Sequence, residues 1–117
     1  MKENILKNKS FDFAIRVVNL FKYLTTEKRE YVLSKQLLRS GTAIGALVRE
    51  AEHAESKADF IHKLSISLKE ANETDYWIEL LFKTDFLSDK EYKTLKYDAE
   101  ELIKLLVSII KTSKLRK

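Results

Sequence analysis

Cysteine and proline are absent from this chain of 117 residues, and glycine occurs only twice. Without cysteine there is no disulfide framework, no zinc–thiolate site and no thiol nucleophile. Without proline, and with so little glycine, almost nothing interrupts a helix, so an all-α fold is expected. No apolar run approaches the ~20 residues that a membrane-spanning helix needs. The opening M-K-E-N-I-L-K-N-K-S carries lysines but lacks the apolar stretch of a secretory signal. A cytoplasmic protein that does not engage membranes is the expectation.

What is present is amphipathic. Apolar residues make up 44% and charged residues 34%, a globular balance, and one domain is expected over 1–117. The net charge is +4, and the basic excess lies at the ends. Residues 1–10 hold three lysines and one glutamate, and residues 87–117 hold eight basic and five acidic residues. Such ends permit nucleic-acid binding without requiring it.

Four helical segments can be read in order, at about 10–25, 30–54, 57–84 and 89–113. Residues 1–9 read as a polar lead-in, with Ser10 as the N-cap of the first helix. That helix carries two apolar stripes. Phe11, Ile15 and Val18 form one, and Phe13, Val17, Leu20 and Leu24 form the other. A surface helix normally needs one stripe. The second suits a neighbouring subunit, or a helix that is unusually buried. The second helix places Leu33, Leu37, Ser40, Ile44, Leu47 and Ala51 on one face. Its middle is small, with Gly41 and Gly45 four residues apart. Glycine costs a helix interior roughly 1 kcal/mol relative to alanine. Close approach of another helix would explain the pair, and a tolerated kink is the alternative. Ser56 with Asp59, and Ser88 with Glu91, have the spacing of N-terminal caps for the third and fourth helices. The third helix turns Phe60, Leu64, Ser67, Ala71, Thr74, Ile78 and Leu81 inward. The fourth turns Tyr92, Leu95, Ala99, Leu102, Leu106 and Ile109 inward, with Ile103, Leu105, Val107 and Ile110 as a second flank. The basic tail K-T-S-K-L-R-K is expected to fray. Short connections between four helices predict an antiparallel up-down-up-down bundle.

A turn near Ser56 sets the register of the central hairpin. Arg39 should lie beside Glu73, Gln36 near Tyr76, Glu50 near His62 and His53 near Asp59. A partly buried ion pair of Arg39 with Glu73, shared with Glu70, would pin the two helices; catalysis by these residues is the weaker reading. Glu50-x-x-His53 and Asp59-x-x-His62 have the spacing of di-metal bundle ligands. Both sit beside the same turn, however, and two further carboxylates at that level are missing. No Gly-x-Ser-x-Gly elbow and no phosphate-cradling glycine loop occurs. No metal, no cofactor and no catalytic residue is expected. Trp77, with Tyr76, reads as core or subunit interface rather than a stacking platform.

The central hairpin resembles the four-helix-bundle family of proteins encoded in intervening sequences of bacterial 23S ribosomal RNA genes. Gln36, Leu37, Arg39, Ser40, Ile44, Ala46, Glu50 and Ala51 carry the likeness on the second helix. Phe60, Ile61, Leu64, Ile66, Glu70, Glu73 and Trp77 carry it on the third. Leu47 departs from it, standing where the family usually has asparagine. Arg49 and Ala51 stand where many members have alanine and glycine. The resemblance implies a homo-oligomer, commonly a pentameric ring. It extends to the accessory protein of diversity-generating retroelements, which implies a reverse-transcriptase or RNA partner. It implies no catalytic residues.

The resulting expectation is a non-enzymatic, homo-oligomeric bundle that binds RNA or a ribonucleoprotein partner. Lys2, Lys7 and Lys9, with Lys111, Lys114, Arg116 and Lys117, are the candidate phosphate contacts. A protein-only adaptor is the alternative, and a small metalloprotein or enzyme is a second.

Overall fold

The computed structural model describes residues 1–116 and contains four helices, α1 (Lys2–Thr26), α2 (Leu33–Ala51), α3 (Lys57–Lys83) and α4 (Asp89–Leu115). Among the described residues there is no strand. Each helix packs on its neighbours in the order α1, α2, α3, α4 and back to α1, without diagonal contacts. This is the antiparallel four-helix bundle. Its long axis measures 50 Å.

Caps define the later helices as their sequences predict. Ser56 Oγ accepts from the Asp59 N–H at 3.0 Å, and Ser88 Oγ accepts from the Glu91 N–H at 3.1 Å. Each satisfies an N–H that has no helical partner. Just beyond the end of α3, Asp85 adopts φ 70. There Phe86 N–H reaches Leu81 O at 2.9 Å and Asp85 N–H reaches Phe82 O at 3.1 Å. This is a Schellman closure with aspartate where glycine is usual.

Four boundaries differ from expectation. The first helix begins at Lys2, not near residue 10, so residues 2–9 are helical. Ser10 is no cap but a buried interior residue whose Oγ donates to Lys7 O at 3.1 Å. Leu6 extends the buried stripe of Phe13 and Val17 by another turn, and the surrounding polar residues are its solvent face. The second helix starts at Leu33 rather than 30 and stops at Ala51 rather than 54. The Glu30 carboxylate stands outside it and accepts from the N–H groups of Val32, Leu33 and Ser34. Burial raises the pKa of Glu30, but these backbone donors outweigh that and hold it below the ordinary carboxylate value. The fourth helix continues through Leu115, so the basic tail is helical to that residue.

The core follows the predicted stripes. Leu6, Leu24, Leu37, Ile44, Leu64, Ile78, Leu81, Leu95, Leu102 and Leu106 are almost fully buried. The two glycines mark the closest approach of α1 and α2. A Cβ on Gly41 would lie 2.9 Å from Val17 Cγ2, and one on Gly45 would lie 3.2 Å from the Ser10 carbonyl oxygen. Small residues also join α2 to α3. Ser67 Oγ donates to Ile44 O at 2.9 Å, and Thr74 Oγ1 donates to Ser40 Oγ at 3.0 Å. These buried bonds fix the register between the two helices.

Candidate functional site

The antiparallel order brings the start of α1, the end of α2, the start of α3 and the end of α4 to one end of the bundle. Because α1 reaches back to Lys2, the two basic termini meet there. Lys2 Nζ donates to Ser108 Oγ at 2.6 Å. Lys57, which opens α3, donates its Nζ to the Arg116 carbonyl oxygen. Lys111, Lys114 and Arg116 are exposed. Among the described residues no carboxylate pairs with them or with Lys2.

Two of the predicted contacts are differently placed. Lys7 pairs with Glu52 at 3.2 Å, and Lys9 pairs with Glu101 at 3.1 Å. The Glu101 hydrogen bond raises the pKa of Lys9. Both pairs are solvated, and exposed pairs are worth about 0–1 kcal/mol. Lys117 lies outside the described residues.

The Arg39 cluster sits along the α2–α3 seam. Arg39 Nη1 lies 3.2 Å from Glu70 Oε1, and Nη2 donates to Glu73 Oε2. The Trp77 indole N–H donates to the same Glu73 oxygen at 3.0 Å. The acids are mostly covered, but the Arg39 side chain is 51% exposed, so this is a surface clamp rather than a buried pair. Trp77, in turn, meets Tyr76 edge-to-face with centroids 5.0 Å apart. Trp77 and then Arg39 hold the Glu73 pKa below its ordinary value of 4.5. A depressed carboxylate contributes stability above the unfolded pKa and loses it as pH falls through the folded one. Glu73→Gln is therefore expected to lower stability by about 1 kcal/mol at pH 7. Urea melts at pH 7 and near pH 3 check this, because the difference from wild type should shrink at the lower pH.

The acid–histidine spacings do not converge on a metal. Among the described residues no group of three metal-ligating side chains comes together. Glu50 instead accepts from Lys63 at 3.1 Å, and Asp59 accepts from the Glu55 N–H at 3.2 Å. His53 and His62 are exposed.

An apolar groove of about 380 Å³ runs between α1 and α2. Phe11, Ala14, Gly45, Ala46 and Arg49 line it, and the Arg49 guanidinium stands 5.4 Å from the Phe11 ring centroid. Phe11 is 51% exposed and Ile15 is 47% exposed. Of the two stripes on α1, Phe13, Val17, Leu20 and Leu24 form the core, and the other is left largely open. On α4 the second flank divides. Ile110 is buried, Ile103 and Leu105 are half-buried, and Val107 is 47% exposed.

Lys57 is the basic residue that the sequence reading missed. It opens α3 just after the Ser56 cap, and only the early start of α1 reveals that this end of α3 faces the termini. Arg16, which pairs with Asp98 at 2.9 Å, and Lys96, which pairs with Asp75 at 3.0 Å, were also unassigned.

The family model for the 23S rRNA-intervening sequence protein matches residues 2–108. The chain belongs to this family. A protein of unknown function from the S23 ribosomal protein family of Bacteroides thetaiotaomicron VPI-5482, solved by crystallography, is 58% identical to this chain. The likeness covers 95% of this chain and 99% of that one, with a TM-score of 0.94. No curated protein matches. Among the described residues no helix is long and apolar enough to cross a membrane.

Proposed function

We propose that this protein is a non-enzymatic, self-associating helical bundle that binds RNA through the basic end of the bundle. The observation that carries this reading is the meeting of Lys2, Lys111, Lys114 and Arg116 at one end, without carboxylate partners among the described residues. Cations held by no acid are available to phosphates, and their counterions are released on binding. Titration of a labelled single-stranded RNA, followed by anisotropy, tests it. Affinity should fall at least tenfold between about 50 and 200 mM salt. Binding of RNA that ignores salt, or no binding at low salt, contradicts it.

Self-association is supported by apolar seams on opposite faces. One is the α1–α2 groove with Phe11 and Ile15. The other lies across the bundle between α3 and α4, where Leu68, Ile103 and Val107 are partly or largely open. Two different surfaces on opposite sides suit head-to-tail pairing, which closes into rings, rather than two-fold pairing. Five copies is the ring size that the family resemblance implies. Each copy would then point its basic end to the same side. Phe11→Glu with Ile15→Glu is expected to reduce the solution mass toward the 13.7 kDa of one chain. Helicity should persist, because both positions are already exposed in the single chain.

A protein-only adaptor is the second reading, favoured by the same apolar groove. A partner protein that binds with salt-insensitive affinity, together with no RNA binding, would select it.

A further inference from the structure

We propose that the loop joining α1 to α2 is a second contact for single-stranded RNA, at which a base stacks on the Tyr31 ring. Residues 27–32 form this connection, at the end of the 50 Å bundle opposite the two termini. Two adjacent apolar side chains stand at its tip, Tyr31 at 53% exposed and Val32 at 70%. Neither joins the core, although Leu24 and Ser34, on either side of the loop, are fully buried. Hydrogen bonds hold the tip in this exposed position. Glu30 N–H donates to Leu24 O at 2.9 Å, and Ser34 Oγ donates to Glu30 O at 2.7 Å. The Glu30 carboxylate accepts from Val32 N–H and Leu33 N–H, which fixes the backbone on both sides of Val32. Arg29, just before, takes the left-handed φ of 53 that lets the chain turn. A segment fixed in this way has little left to order when it binds.

Charge selects the occupant. Lys28 and Arg29 precede the tip, Lys22 lies one turn before the end of α1, and Lys35 lies in the first turn of α2. All four are exposed, and they outnumber Glu27 and Glu30. Among the described residues none of the four pairs with a carboxylate. Glu30 offers them no partner, because both its oxygens are taken by backbone donors. An exposed ring alone would suit any apolar partner. A ring set among unpaired cations suits a strand that carries a flat base and a phosphate in every unit. Asp85 and Asp89, in the other connection at this end, oppose a polyanion, so the strand is expected along the α1–α2 side. The first N–H groups of α2 take no part, since Glu30 already fills them. This contact takes its partner class from the RNA reading above, but it uses other residues at the other end and adds stacking to phosphate attraction.

The test titrates the full chain with two labelled single strands of equal length, one of uridylates and one of abasic ribose phosphates, followed by anisotropy. Tyr31→Ala should weaken the uridylate strand roughly tenfold, as loss of one stacked base does, and leave the abasic strand unchanged. Tyr31→Phe should bind as wild type, because the ring stacks and the hydroxyl does not. Lys28→Gln with Lys35→Gln should weaken both strands and lower the salt slope by about one to two. These positions are exposed, so thermal melting should be unchanged. Tyr97→Ala is the control, a comparably exposed tyrosine midway along α4, and should alter neither strand. Equal losses on both strands from Tyr31→Ala, or the same loss from Tyr97→Ala, overturn stacking at this loop. Unchanged RNA binding in Tyr31→Ala overturns the loop contact while the basic end stands. Loss in Tyr31→Ala, with full binding in Lys111→Glu with Lys114→Glu, keeps the loop contact and removes the basic end. No binding of either strand at low salt overturns both. Tyr31-dependent binding to phosphatidylserine vesicles, with RNA binding unmoved, overturns the RNA assignment in favour of a lipid surface.

Discussion

Gly41→Ala should destabilise the bundle by about 1–3 kcal/mol, although alanine is the better helix former. The propensity gain is about 1 kcal/mol. Against it stands a Cβ that would lie 2.9 Å from Val17 Cγ2, in a core where Val17 has no exposed surface to retreat into. Either the Val17 side chain leaves its rotamer or α1 and α2 move apart. Moving apart would also strain the Ser10–Gly45 contact one turn away. A larger residue such as Leu at 41 should cost more. The mechanism has a specific signature in a double-mutant cycle. Val17→Ala alone opens a cavity and should cost about 2 kcal/mol. In that background Gly41→Ala should become neutral or stabilising, because the clash is gone and the helix propensity remains. Chemical denaturation of the four variants checks this. If Gly41→Ala raises stability in the wild-type background, close approach is not why glycine stands there.

Reversing charge at the basic end should have the largest effect on RNA. Lys111→Glu combined with Lys114→Glu is expected to weaken RNA binding on the order of 100-fold at low salt and to flatten its salt dependence. Both side chains are exposed and neither is paired among the described residues, so stability should stay within about 0.5 kcal/mol. Lys7→Glu is the informative comparison. Lys7 already faces Glu52, so its charge is partly spoken for, and its reversal should affect RNA less. An equal loss from all three positions would point to general charge rather than to this end of the bundle.

The legible parts of the fold were those with one physical meaning. Ser56 and Ser88 stand before helical stripes with an acid three residues on, and both cap. Of the two readings of the glycine pair, close approach and a tolerated kink, the structure supports close approach, for both meet α1. The turn near Ser56 puts Arg39 level with Glu73, and Arg39 pairs with both Glu70 and Glu73. Ser10 was ambiguous, because serine serves both as a cap and as a small residue between close helices. Leu6 would have decided it, since it lies four residues before Ser10 on the buried face. Glu30 was read as the start of a helix, whereas its carboxylate caps that helix from outside. The basic end was hidden by the same error at α1. With nine residues taken as a lead-in, nothing said that Lys2 meets Ser108, or that Lys57 and Arg116 are neighbours.

The charge of one chain is modest, and the RNA reading gains much of its strength from multiplying it around an assembly. The mass of the wild-type chain in solution, by light scattering after size exclusion at near-physiological salt, therefore tests the account most directly. Several multiples of 13.7 kDa are predicted, with a fixed stoichiometry across concentration. A single 13.7 kDa species would contradict it: Phe11, Ile15 and Val107 would then be open surface on a monomer, and the basic end would act alone.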